Sequence, residues 1–132
     1  MMADHQPTPL FHAMYVGSAV RIGTSSDLYG DFLLEGEEVR MEFKGARDAL
    51  VFTDVRMIVL DPQGLRGKKV AVVSIPWKSI TAFSLENSGR LDFDAELKVS
   101  GCGFGICELS FAKGTDVRTV NAFLSSRILG GG

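Results

Sequence analysis

The segment from Arg47 to Val99 constrains the fold of this chain more than any other part of it. Within it, short runs rich in β-branched and aromatic residues alternate with turn signals such as Pro62-Gln63-Gly64 and Asn87-Ser88-Gly89. Short runs separated by tight turns are typical of a sheet-based barrel and not of a helical or α/β domain. Together with the neighbouring segments they predict the following strands: 38–44, 49–53, 56–61, 69–75, 80–86, 91–100 and 106–111.

An amphipathic helix is predicted after the last strand. Thr115 or Asp116 suits its N-cap and Gly130 its end. One face between them is apolar, formed by Val117, Val120, Phe123, Leu124 and Ile128. A sheet that curls on itself can be closed at its open end by a helix with one apolar stripe. We therefore predict a mainly β fold, a barrel of seven antiparallel strands capped by a C-terminal amphipathic helix.

Residues 1–31 are predicted to form an N-terminal extension in front of a barrel domain at 32–132. Apolar residues near helical spacing follow Thr8-Pro9, which suits a first helical turn: Leu10, Phe11, Met14, Tyr15, Ala19 and Ile22. We expect a short apolar helix that docks on the domain or on another subunit. Gly23 to Gly30 is rich in Ser, Thr and Gly, as linkers are.

Charge and cysteine usage narrow the function classes. A net charge of −2 and an isoelectric point near 5.6 remove the broad electrostatic drive toward nucleic acid. The N-terminus lacks the basic and apolar regions of a signal peptide, so we expect a cytoplasmic protein whose Cys102 and Cys107 are free thiols. The two histidines, His5 and His12, offer no recognisable catalytic pair or metal set, so we expect no enzyme and no cofactor.

The densest basic segment is Gly64 to Lys69. Arg66, Lys68 and Lys69 around a Gly turn are candidate contacts for an anion or a lipid headgroup, and Lys44 and Arg47 add a second basic hairpin. The segment is not a Walker loop, because its glycine spacing differs and no Ser or Thr follows the lysine. The alternative, which we favour, is a solvated hairpin tip.

Asp92, Asp94 and Glu96 form a row of carboxylates on one face of a predicted strand. Three carboxylates can bind a hard cation, but the glycine and terminal glutamate of a calcium loop are absent. A solvated face or ion pairs between subunits explain the row better. We therefore place these residues, with Phe11, Met14 and Tyr15, at a candidate subunit interface.

Several sequence blocks over about residues 32–129 resemble the bacterial pleckstrin-homology (PH) domain family. They are, in chain order, Leu34-Glu-Gly-Glu-Glu-Val39, Arg47-Asp48, Phe52-Thr-Asp-Val-Arg56, Gly64-Leu-Arg-Gly-Lys-Lys69, Ser74-Ile-Pro-Trp77, Ser79-Ile80 and Asp92-Phe-Asp-Ala-Glu-Leu-Lys98. The resemblance implies a PH-like barrel, no assigned activity, and a homo-oligomeric ring such as a pentamer. Our first prediction is a non-enzymatic interaction module that self-assembles. The alternative is an adaptor for anionic lipid or a membrane surface that uses the basic hairpin.

Overall fold

The computed structural model describes residues 7–11, 13–63, 69–87 and 95–130. Within these ranges the chain forms one eight-stranded sheet, in the order β5-β4-β3-β2-β1-β8-β7-β6. Its strands are β1 Met14–Ala19, β2 Val39–Lys44, β3 Ala49–Thr53, β4 Arg56–Gln63, β5 Lys69–Pro76, β6 Ile80–Asn87, β7 Ala95–Gly101 and β8 Phe104–Phe111. The helices are α1 Ser26–Tyr29 and α2 Val117–Ile128, and 3₁₀ turns occur at Gly30–Phe32 and Trp77–Ser79.

The predicted mainly β barrel with a C-terminal helix is confirmed. Each predicted strand is present, as β2 to β8. The predicted helix is present as α2, and its N-cap is Asp116, whose side chain accepts a hydrogen bond from the Thr119 amide at 3.2 Å. The strand count is corrected from seven to eight in the described residues. The sheet is also not wholly antiparallel, because β1 pairs in parallel with β8.

The additional strand arises where a helix was predicted, and that prediction was wrong. Met14 and Val16 are buried while Tyr15 between them is exposed, which is the alternation of a strand. β1 lies between β2 and β8, so two neighbouring strands satisfy its backbone and outweigh the near-helical spacing of its apolar residues. The sheet thus takes a strand from the segment that we assigned to an N-terminal extension.

Gly17 allows β1 to pair with both of its neighbouring strands. Its φ of 72° lies in the left-handed region, and the register of β1 against β8 shifts between Tyr15 and Gly17. A Cβ at this position would collide with the carbonyl oxygen of Lys44 on β2. Glycine therefore allows β1 to bend so that its first half pairs with β8 and its second half with β2.

Residues 21–38, which we call the strap, cover the outer face of the sheet. They include α1, and Tyr29 at its end is buried in a second apolar cluster with Ala49, Val51, Ile58 and Leu60. This explains why β4 is apolar on both faces: Met57 and Val59 face the main core, whereas Ile58 and Leu60 lie under the strap. Gly23 to Gly30 is consequently part of the packed structure and not a linker.

Aromatic rings close the end of the barrel nearest to α2. Phe52 of β3 stacks on Phe123 of α2 with ring centroids 5.6 Å apart, and Trp77 meets both rings edge-on at 5.3 and 5.7 Å. The indole of Trp77 donates a hydrogen bond to the carbonyl of Thr53 at 2.8 Å. The opposite end of the barrel, which we call the mouth, lacks such a helical cap among the described residues.

Candidate functional site

Charged side chains face inward at the barrel mouth. In the core, Leu50, Val59 and Val73 are cross-strand neighbours on β3, β4 and β5. Two residues further toward the mouth, the same inward-facing positions are occupied by Asp48, Asp61 and Ala71. Since successive side chains alternate between faces, both carboxylates continue the core-facing side of the sheet.

A cavity of about 620 Å³ opens at the mouth. Its charged lining residues are Arg47, Asp48 and Asp61. The other lining residues are Ala71 and Val73 of β5 and, from the N-terminal segment, Thr8, Pro9, Leu10, Phe11, Ala13 and Met14. The Gly105 amide donates a 2.9 Å hydrogen bond to the Thr8 carbonyl and so anchors that segment. The mouth is therefore a pocket with both apolar and charged walls, formed by the N-terminal segment, the turn before β3, and strands β4 and β5.

The three charged residues of the mouth interact with one another. Nη2 of Arg47 lies 3.5 Å from Asp61, and Nε lies 3.8 Å from Asp48 while donating to the Pro62 carbonyl at 2.9 Å. Burial raises the pKa of the Asp48 carboxyl above its usual value, repulsion by Asp61 raises it further, and Arg47 opposes both effects. One cation therefore only partly compensates two adjacent carboxylates.

The structure brings only some of the predicted basic residues into this site. Arg47 lines the cavity, whereas Lys44 and Lys69 are exposed and do not. Arg66 and Lys68 lie outside the described residues. Arg47 is the one predicted anion contact found at the mouth in the described part of the chain, and its charge is already directed at two carboxylates.

The predicted subunit-interface residues also separate. Phe11 and Met14 are buried in the core of their own chain and line the mouth, which corrects the expectation that they contact another subunit. Tyr15 is 47% exposed and Glu96 is exposed. Asp92 and Asp94 lie outside the described residues, so the carboxylate row stays a prediction.

Asp48 and Asp61 were missed as site residues by the sequence reasoning. A signal was present for Asp61, because it falls two residues after Val59 and therefore at a core-facing position of β4. An acidic residue at such a position needs either solvent or a partner. Here it has the cavity on one side and Arg47 on the other.

A buried ion pair fastens the C-terminal end of the strap. Arg56 of β4 donates from Nε and Nη2 to the two carboxylate oxygens of Glu37, both at 2.9 Å, and the Thr53 hydroxyl donates to Glu37 at 2.7 Å. Arg56 also donates to the carbonyl of Phe32. Burial acts to raise the pKa of Glu37, but the hydrogen bonds from Arg56, the Leu34 amide and Thr53 outweigh it and hold the pKa below its usual value.

A buried carboxylate fastens the other end of the strap. Glu42 of β2 accepts hydrogen bonds from the amides of Gly23 and Ser25, at 2.8 and 2.7 Å, and from the Tyr29 hydroxyl at 2.6 Å. Burial and the adjacent Glu42 raise the pKa of Tyr29 well above that of a free tyrosine. The strap is thus fixed at both ends, and its outward side exposes Ile22, Phe32 and Leu34.

The two ends of the sheet differ in how they are covered. β5 and β6 are the terminal strands in the sheet order of the described chain, and α2 packs against β6. β5 is eight residues long and pairs with β4 along its whole length, while no described strand pairs with its other side. A long edge of this kind presents unpaired backbone donors and acceptors.

Within the described residues, no group of three or more His, Cys, Asp or Glu side chains converges on a point where a metal ion could bind. None of the helices in that part of the chain has the length and apolar character required to cross a bilayer. Cys102 is exposed and Cys107 is buried, and the two thiols are not bonded to each other in this structure.

Comparisons with known proteins agree with this architecture. The family model described as Bacterial PH domain matches residues 12–128. The uncharacterized protein YjqA of Bacillus subtilis is 40% identical over 115 residues, which cover 84% of this chain and 92% of that protein. A crystal structure of a protein with a pleckstrin-homology domain from Shewanella loihica has a TM-score of 0.74 and 33% identity, covering 84% of this chain and 96% of that one. A pleckstrin-homology domain from Shewanella amazonensis has a TM-score of 0.68 and 37% identity, covering 86% and 92%.

Proposed function

Because the chain belongs to the bacterial PH domain family, we propose that it is a non-enzymatic module that assembles with copies of itself into a closed ring. The observation that carries this proposal is the outer side of β5, which has no strand partner among the described residues. Natural proteins blunt, cover or pair such edges, because an open edge recruits other strands. A second copy of the chain is the partner that is always present.

The open edge of β5 favours a ring. Since α2 packs against β6, the contact that we propose joins the β5 edge of one copy to a different surface of the next copy, which is a heterologous contact. Heterologous contacts repeat from copy to copy, and they end in a ring when the rotation between copies closes. The apolar side chains of β5, among them Val70 and Val72, are only half-buried, so a neighbouring strand would cover them further.

The proposal assigns no reaction to the chain. The charged residues that line the mouth, Arg47, Asp48 and Asp61, form ion pairs with one another. No thiol or imidazole is among the described residues that line this cavity. The arrangement therefore supports binding more than covalent chemistry.

The assembly is tested by light scattering coupled to size exclusion, together with hydrogen exchange. We expect a discrete oligomer at micromolar concentration and amides of β5 whose protection increases with protein concentration. Val70→Lys places a charge on the edge strand and is expected to give monomers. Ser18→Lys adds the same charge at an exposed position of β1, inside the sheet, and is expected to leave the oligomer intact. A wild-type protein that stays monomeric contradicts the proposal.

The lipid-adaptor alternative stays a prediction. The Arg47 side chain is 64% exposed, but Asp61 and Asp48, at 3.5 and 3.8 Å, compete with a headgroup for its charge. Lys44 and Lys69 are the other exposed candidates in the described part of the chain. Co-sedimentation with neutral and anionic vesicles tests it. Salt-sensitive binding to the anionic vesicles alone, lost when Lys44 and Lys69 are changed to Ala, would replace self-assembly as the leading function.

A further inference from the structure

We propose that the barrel mouth binds a small organic cation, an amine that carries a short apolar body. This inference rests on a different observation from the assembly proposed above, a cavity lined by residues of one chain, although two of its wall residues, Ala71 and Val73, lie on β5. It requires no movement of the strap and no partner subunit.

The size and lining of the cavity suit a small molecule. A volume of about 620 Å³ lies within the range of ligand pockets, which are mostly apolar with a few convergent polar groups. The apolar walls are formed by Phe11, Met14, Ala71 and Val73. The charged lining residues Arg47, Asp48 and Asp61 lie together, and Thr8 is the one other polar residue of the described lining, so a ligand with one charged end and one apolar end fits this arrangement.

The charge balance of the cavity favours a cation. Asp48 and Asp61 supply two carboxylates and Arg47 supplies one guanidinium, so the described lining residues carry one uncompensated negative charge when both carboxyls are ionised. Arg47 already directs Nη2 at Asp61 and Nε at the Pro62 carbonyl. An anion that approached Arg47 would also face both carboxylates, whereas an ammonium group would relieve their repulsion.

Repulsion between the two carboxylates acts on the pKa of Asp48. Its carboxyl is mostly buried, with 18% of the side chain exposed, and Asp61 beside it helps to raise its pKa. A bound cation lowers the free energy of the ionised form of this pair. The two carboxylates therefore gain more from an incoming cation than isolated surface carboxylates would.

The lining also favours an organic cation over a metal ion as the ligand. A hard metal ion needs about six oxygen ligands, and the described residues offer no cluster of three acidic, His or Cys side chains here. The apolar walls would contribute nothing to a metal ion. They would instead remove the hydrocarbon part of an amine from water.

Three probes of equal length test the proposal on the full-length protein: hexylamine, hexanol and hexanoate. Binding is measured by NMR titration of the amides of β3 and β5. We expect hexylamine to bind at least about tenfold more tightly than hexanol, and hexanoate not to bind. Equal binding of all three, preference for hexanoate, or no binding of hexylamine up to about 20 mM would each overturn the proposal.

Two variants separate charge from shape. Asp61→Asn is expected to weaken hexylamine binding about tenfold, while Asp27→Asn, an exposed carboxylate on α1, leaves it unchanged. Ala71→Leu narrows the cavity from β5 and is expected to weaken hexylamine binding about tenfold in a folded protein, which keeps the test decisive if Asp61→Asn does not fold. Unchanged hexylamine binding in folded Ala71→Leu protein would contradict this location. Light scattering on each variant reports separately whether the protein still assembles, because Ala71 lies on β5.

Discussion

Arg56 joins three separate stretches of the chain through one guanidinium group. It lies on β4, pairs with Glu37 at the end of the strap, and donates from Nη1 to the Ser74 hydroxyl of β5 at 3.1 Å. The Glu37 side chain is 1% exposed and that of Arg56 is 16% exposed. Loss of one partner from such a pair leaves a buried charge without compensation, which costs more than the pair itself contributes.

We therefore expect Arg56→Met to lower the free energy of unfolding by about 3 kcal/mol. Arg56→Lys is expected to fall between this variant and the wild type, because an ammonium group cannot form the two parallel bonds. Arg40→Met, at an exposed position of β2, is the matched control and should change little. Urea denaturation measures all three. Equal stability of Arg56→Met and Arg40→Met would show that the ion pair does not fasten the strap.

Asp48, in contrast to the Arg56–Glu37 pair, lowers the stability of the folded protein at neutral pH. Burial and repulsion by Asp61 raise its pKa in the folded protein, so its ionised form is disfavoured there. A raised carboxyl pKa contributes stability that is fully present below the unfolded pKa, near 4, and is lost as the pH rises through the folded pKa. At neutral pH the ionised side chain therefore costs stability.

Asp48→Asn is accordingly expected to increase the free energy of unfolding at pH 7, by about 0.5 kcal/mol. The gain should disappear at about pH 3, where the wild-type carboxyl is protonated in both states. Denaturation at both pH values measures the effect, with Asp27→Asn as the exposed control. A variant that is less stable than the wild type at pH 7 would mean that the attraction to Arg47 outweighs burial and repulsion.

At the scale of elements, strand β1 depends on a single glycine. The positive φ of Gly17 and the closeness of the Lys44 carbonyl both exclude a side chain. Gly114, in the loop before α2, also has a positive φ, of 85°, but open space where a Cβ would lie. Substitution of Gly114 therefore tests backbone strain alone, whereas substitution of Gly17 tests strain and collision together.

We expect Gly114→Ala to cost about 1 kcal/mol of unfolding free energy, for the left-handed conformation alone. Gly17→Ala should cost roughly 3 kcal/mol or more, because β1 must also move away from β2. Thermal or urea denaturation of the two variants gives the comparison. Similar losses at both positions would indicate that β1 tolerates displacement from its neighbours.

The elements that the sequence predicts well are those whose pattern is local. β2 to β8 and α2 each carry their own periodicity or turn signals, and the predicted helix stripe recurs with Val120 and Leu124 fully buried. β1 was missed because its partners are distant in sequence. Glu42 points to the outer face of β2, but the strap then covers that face. Burial by a remote segment leaves no local signal in the strand.

For the candidate site, the sequence indicated Arg47 but not its partners. Asp48 and Asp61 come together only because β3 and β4 are adjacent in this register. The apolar character of both faces of β4 was a usable signal, since it requires a second cover besides the barrel core. It did not identify the strap as that cover, because the strap resembles a linker in composition.

At the scale of the whole molecule, β1 is the strand that joins the two sides of the barrel. β2 to β5 form one side of the sheet and β6 to β8 the other, and in the described chain these two sides are joined by strand pairing only through β1. The segment before residue 32 also supplies Phe11, Met14 and Val16 to the main core and Tyr29 to the second cluster. The boundary at residue 32 that the sequence favoured would remove all of these.

We therefore expect a chain of residues 32–132 to lack a cooperative thermal transition and a dispersed NMR spectrum, whereas the full chain has both. Open edges on β2 and β8 and an uncovered β4 would remain, and each favours aggregation over folding. A synthetic peptide of residues 7–31, added in trans, should restore the transition by filling the position of β1 and of the strap. The same peptide with Gly17→Ala is the matched control and should restore little, because its bend against Lys44 is blocked. Cooperative melting of 32–132 alone would show instead that the two sides of the sheet can close directly on each other, with β1 an addition to a barrel that is already complete.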